Sequence, residues 1–192
     1  GKFVREYDSF GRISGLAIDK NDVIYTTDSE STEKVHPGWQ RGVRLGSLKD
    51  GKVTMFIPPH PVPNSPDGAM GEGVAVDAAG NVYVTFTGFH GVGGNYPIKF
   101  SRSSDGGLTF SNPRTISTGG KDGTARNQGS DIAVAPDGTV YVAYRTYAGG
   151  SDASSINVVK SKDCGVHWSQ PVVVGTITAV QAPGVAFRTP TF

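Results

Sequence analysis

The sequence predicts an all-β fold made of β-propeller blades, about three repeats of one four-stranded antiparallel unit. Three observations carry this. Gly supplies 27 and Pro 12 of the 192 residues, while only 18% are charged, a composition of short strands and tight turns rather than long helices. Two sets of anchors recur at one constant interval and without gaps: Ala17, Ala75 and Ala133 form the first, and Tyr25, Tyr83 and Tyr141 the second. Apolar residues at helical spacing never persist beyond a turn, which excludes a helical solenoid.

Each unit reads as two hairpins. Short inner strands rich in small and β-branched residues run at 15–19, 73–77 and 131–135. They turn through Lys20-Asn21-Asp22, Ala78-Ala79-Gly80-Asn81 and Pro136-Asp137-Gly138-Thr139, sequences with the residues that tight turns demand. Second strands follow at 23–26, 82–84 and 140–142, and supply Tyr and Val to a buried pleat. The outer hairpins are expected at 42–48 with 53–57, at 98–103 with 109–116, and at 156–161 with 167–174. The blades are thus placed at about 13–60, 71–117 and 129–175, with 176–192 beginning a further one. A propeller usually closes with four or more blades, and an open ring leaves two hydrogen-bonding edges bare. The expectation is therefore a portion of a larger propeller, or a chain completed by self-association.

Composition narrows the partners. A formal net charge of +1 and scattered Lys and Arg provide no field to recruit nucleic acid or an acidic membrane. No apolar stretch approaches the ~20 residues of a membrane span. Cys164 is the single cysteine, so no intrachain disulfide forms, and it reads as a passive turn residue.

The second outer turns share a pattern. Ser103, Asp105, Gly107 and Phe110 stand as S-x-D-x-G-x-x-aromatic, and Ser161, Asp163, Gly165 and Trp168 repeat it one period later. These two stretches resemble the Asp box of sialidases and bacterial-neuraminidase-repeat propellers, in which the motif is structural. The spacing has a physical basis: the carboxylate bonds turn amides, glycine takes the turn conformation, and the aromatic ring packs between sheets. The first unit, with residues 72–84, is instead similar to NHL repeats and gluconolactonase-like propellers, covering roughly residues 10–90. That resemblance implies His or carboxylate ligands for a divalent metal. The two agree on fold and differ on chemistry. Both imply an extracellular or periplasmic protein, although no signal peptide is visible at Gly1.

Propeller geometry sets the loop before strand one and the loop between strands two and three on one face, with the Asp-box turns on the other. Candidate ligand-binding residues on the first face are Asp28, Glu30, His36, Trp39, Arg145, Tyr147 and Arg188. Ser14, Glu72, Ser130 and Arg188 are equivalent at 58-residue spacing and are expected to point toward the central channel. Glu72 and Asp131, with His36 or His90, offer oxygen and nitrogen ligands suited to calcium or zinc. Arg188 stands in Phe187-Arg188-Thr189-Pro190, which resembles the F-R-I-P motif carrying a sialidase arginine, with Thr for Ile and after the Asp boxes rather than before. Loop aromatics such as Trp39 and Tyr147 suit stacking on sugar rings. A G-x-S-x-G elbow, a phosphate-binding loop and H-E-x-x-H are all absent. The expected function is a secreted ligand-binding or interaction module, for glycans or another small-molecule ligand. The alternative is an enzyme, either a metal-dependent lactonase or lyase or a sialidase-like glycoside hydrolase.

Overall fold

A computed structural model describes residues 1–61, 67–88, 96–117, 125–148 and 153–178. Three four-stranded antiparallel sheets contain β1 (Ile13–Ile18) to β4 (Val53–Ile57), β5 (Met70–Val76) to β8 (Arg114–Thr115), and β9 (Ala125–Val134) to β12 (Val172–Thr178). In each sheet the strands lie in chain order, with β2 (Val23–Asp28), β3 (Gly42–Ser47), β6 (Val82–Thr87), β7 (Ile98–Ser103), β10 (Val140–Ala148) and β11 (Ala153–Ser161) between the inner and outer strands. The inner strands are neighbours, β1 against β5 and β5 against β9. These are consecutive propeller blades, and no helix occurs among the described residues. Arg188 and His90 lie outside those residues; of the segment 176–192 expected to begin a further blade, 176–178 belong to β12 and the rest lies outside the described residues.

The repeat works through carboxylates that close the inner turns. Asp19 Oδ1 accepts the Asn21 and Val23 amides at 2.8 and 2.9 Å, and Asp77 Oδ1 accepts the Ala79 and Asn81 amides at 2.9 Å. The Tyr83 hydroxyl donates to Asp77 at 2.8 Å, tying the second strand to the turn that precedes it. Burial pushes the Tyr83 phenol well above its ordinary range, and Cys164 and Asp77 push it further. In the third blade Ala135 takes the place of that Asp, and Tyr141 lies exposed.

Two apolar layers glue the blades. Tyr25, Val43 and Leu45 pack on Val74, Val82 and Val84; Tyr83, Ile98 and Phe100 pack on Val140, Val142, Tyr144 and Val159. Burying one such side chain is worth about 1.5–3 kcal/mol. Glycine sets the distance between inner strands. A Cβ on Gly15 would stand 2.4 Å from the Glu72 carbonyl oxygen, and one on Gly73 would stand 3.2 Å from the Ile132 nitrogen. Asp131, exposed, is the third member of this series.

The outer hairpins depart from expectation. Residues 109–116 contain only the two-residue β8, and the third outer strand begins at Val172 rather than 167. The S-x-D-x-G turns are the reason. Ser103 Oγ donates to Asp105 at 2.6 Å and accepts the Gly107 amide at 2.8 Å, while Asp105 accepts the Thr109 amide at 2.9 Å. Ser161, Asp163, Gly165 and His167 repeat these contacts. The wide turn consumes the residues that would have laddered. It also reaches across blades: a Cβ on Gly165 would lie 2.3 Å from the Phe100 ring, and Arg102 donates to the Cys164 carbonyl at 2.8 Å.

Candidate functional site

The end of the blades opposite the S-x-D-x-G turns gathers polar and aromatic side chains. There β9 begins at Ala125, earlier than expected, so Arg126 is a strand residue paired with Tyr147 of β10. Alternation along β10 puts Arg145 and Tyr147 on one face, and the Arg145 guanidinium lies 4.9 Å from the Tyr147 ring centroid. Arg145 is aimed by Ser154, whose hydroxyl accepts from Nε at 3.0 Å and from a terminal nitrogen at 2.8 Å. The Tyr147 hydroxyl donates to Gln128. Beside this pair Arg126 lies 5.5 Å from the ring of Tyr96, which bridges to it from the second blade. Arg126 Nε has no hydrogen-bond partner among the described residues.

The electrostatics join these groups. Burial pushes the Tyr147 phenol up; the Arg145 and Arg126 charges pull it down, and Glu72 and Tyr96 add to the rise. Two arginine–aromatic pairs, one within the third blade and one formed by its Arg126 with Tyr96 of the second, therefore share one field, with planar faces and N–H donors side by side. Such a surface stacks on a ring and hydrogen-bonds hydroxyl or carboxylate oxygens.

Glu72 is a staple between blades. Its Oε1 accepts from the Thr87 hydroxyl at 2.6 Å and the Gly129 amide at 3.3 Å; its Oε2 accepts from the Ser130 amide at 2.8 Å and hydroxyl at 2.5 Å. Its carbonyl accepts from Thr27 of the first blade at 2.8 Å. Ser130 is buried beneath it, and Ser14 bonds Ser29, so neither presents a free hydroxyl to the channel. Asp131 is exposed and turns an oxygen to the Ile132 amide at 2.9 Å. Among the described residues no group of three or more His, Cys, Asp or Glu side chains converges as metal ligands would.

Asp28 is a correction. The sequence places it on a ligand-facing loop, yet its side chain is 0% exposed and pairs with Arg44, itself 7% exposed, at 3.0 Å. Its oxygens also accept the Arg12, Glu30 and Ser31 amides at 3.1, 3.1 and 2.9 Å. A carboxylate with four donors inside the sheet has no capacity left for a ligand. Arg44 lies between the rings of Trp39 and Phe56, at 5.0 and 4.9 Å. Burial pulls the Arg44 guanidinium down and Asp28 pulls it back up.

The remaining first-blade candidates form a separate rim. His36 is exposed and sits edge-on to Trp39 at 5.4 Å, while Glu30 pairs with Arg12 at 3.3 Å. The structure thus joins Arg145 and Tyr147, adds Arg126, Tyr96 and Gln128, and sets His36 and Trp39 apart on the first blade. Arg44 had a signal in the sequence: Asp28, Phe86 and Tyr144 are equivalent positions of successive repeats, so the repeat itself puts Asp28 at a buried position that needs a buried cation.

No protein-family model matches the chain, and no curated protein matches it. Solved structures do. A protein of unknown function from Dyadobacter fermentans is 15% identical with a TM-score of 0.61, the match covering 84% of this chain and 50% of that one. A Hadza microbial sialidase is 16% identical, TM-score 0.48, covering 79% of this chain and 35% of that one. An endo-arabinase from Bacteroides thetaiotaomicron is 18% identical, TM-score 0.49, covering 90% and 66%. The likeness to the first establishes a shared fold, and the chain spans about half of that structure's length.

Proposed function

We propose that these blades belong to a secreted, extracellular or periplasmic propeller of the sialidase-repeat type that binds a glycan at the mouth of the second and third blades. One observation carries the reading: Arg145 on Tyr147 and Arg126 on Tyr96 lie side by side, at ring distances of 4.9 and 5.5 Å, with Tyr96 reaching the third-blade Arg126 from the second blade. The aromatic faces stack on a sugar ring, and the guanidinium N–H groups take its oxygens. Sialidase-type hydrolysis runs through a Tyr nucleophile activated by a neighbouring carboxylate, whereas Glu72, whose charge reaches Tyr147, spends both oxygens on blade contacts. Binding is therefore favoured over catalysis.

A glycan array probed with the purified protein, followed by titration of the best ligand, tests this. Tyr147→Ala and Arg145→Ala should each weaken binding at least tenfold, about 1.4 kcal/mol, with the melting temperature nearly unchanged. Full-affinity binding by both folded variants would place the ligand elsewhere.

A further inference from the structure

The two blade interfaces are not filled equally, and the difference points to a second binding site. A cavity of about 300 Å³ lies between the first and second blades. Strand register identifies what occupies the same place one interface on. Val43 lies opposite Thr27, and Phe100 lies opposite Thr85, the equivalent of Thr27 in the next repeat. Ser101 lies opposite Val84, and Val159 opposite Val142, again one repeat later. Phe110 and Trp168 are the aromatic residues of the two S-x-D-x-G turns. Val43, Ser101 and Phe110 all line the cavity. Their counterparts Phe100, Val159 and Trp168 pack together at the next interface, with the Phe100 ring fully buried, edge-on to Trp168 at 4.9 Å and stacked on Tyr83 at 6.0 Å. The second interface thus holds a six-membered aromatic ring that the first one lacks.

We infer that the cavity between the first two blades binds the aromatic ring of a small neutral molecule. The floor is buried apolar surface from Val84 and Phe86, and the rim is exposed at His60 and Asn112, so solvent reaches the opening. His60 already packs its ring on Phe86 at 6.3 Å. None of the lining residues is Asp, Glu, Lys or Arg; a charged guest would lose its hydration without compensation. An aromatic guest seated here would exchange water for the apolar faces of Val43, Val84, Phe86 and Phe110. The site shares no residue with the glycan-binding mouth and stands or falls separately from it.

Indole is the probe, titrated into the intact chain by calorimetry and by amide chemical-shift changes. Saturable binding with a Kd on the order of 0.1–1 mM is expected from ordinary efficiency for so small a ring system. Val43→Phe restores the ring from within and should weaken indole binding at least tenfold while melting no lower than the parent. Ser101→Val copies Val159, should weaken binding in the same direction, and decides alone if the first variant fails to fold. Tyr147→Ala should bind indole as the parent does. The inference is overturned if the parent shows no saturable response in millimolar indole, or if the folded cavity-filling variants bind it undiminished.

Discussion

Replacing Asp28 by Ala should be among the most damaging single changes in the first blade, although Asp28 sits at the end of a strand on the ligand-facing side. The substitution strips Arg44 of its only ion-pair partner among the described residues, at 3.0 Å, while its side chain remains 7% exposed. Removing one member of a buried pair typically costs about 3–5 kcal/mol, because the other charge stays desolvated. The amides of Arg12, Glu30 and Ser31 lose their acceptor as well. For a chain of this size that corresponds to a fall in Tm of roughly 6–20 °C. Chemical denaturation and calorimetry should both register it. Asp28→Asn keeps an acceptor for the loop amides without the charge, so its loss should be intermediate. The double change Asp28→Ala with Arg44→Met removes both charges and should recover much of the loss, since an apolar pair can replace a buried ion pair. A stability of Asp28→Ala within about 1 kcal/mol of the parent would refute the assignment of Asp28 to the interior and reopen its candidacy as a ligand-binding residue.

Other outcomes follow from the same contacts. Gly73→Ala would set a Cβ 2.7 Å from Thr85 Oγ1 and 3.0 Å from Ile132 Cγ2, so a loss of about 1–3 kcal/mol from overpacking is expected in urea unfolding. Glu72→Ala removes the acceptor for Thr87 and for the third-blade Gly129 and Ser130; about 2–4 kcal/mol should be lost, with amide exchange speeding up first along β9. Hydrogen bonds from Ser103 and Thr109 depress the Asp105 carboxyl to about 2, and the His167 amide and ring, with Ser161, hold Asp163 lower still. Since the folded values lie below those of the unfolded chain, this stabilisation is complete above pH ~4 and is lost as pH falls from ~4 toward ~2. Asp105→Asn with Asp163→Asn should flatten the acid limb of a Tm-versus-pH profile, and an unchanged limb would contradict the hydrogen-bonded turns.

Much of the fold was legible because a repeat states its own period. Ala17, Ala75 and Ala133 stand at corresponding positions, opposite Tyr25, Tyr83 and Tyr141 on the paired strand. Local rules then sufficed: turn residues, alternating apolar side chains and glycine where strands crowd. The site was less legible. Arg145 and Tyr147 were legible as candidates in one loop, not as neighbours on one face of β10, and Tyr96 joins them through a bridge between blades, a contact no local pattern contains. Asp28 misleads because a charged residue beside a loop suggests a solvent-facing role, although its repeat partners Phe86 and Tyr144 are apolar and buried.

The amino-acid order alone determined the period, the centres of the inner hairpins and the turns that close them, since those depend on residues near one another in the chain. Only tertiary structure decided that Glu72 would be consumed in holding blades together, that Asp28 would meet Arg44 out of water, and that Val43 would leave space where Phe100 fills it. Each of these depends on which side chain arrives from another strand or blade, and burial decides whether the same carboxylate serves a ligand or the fold.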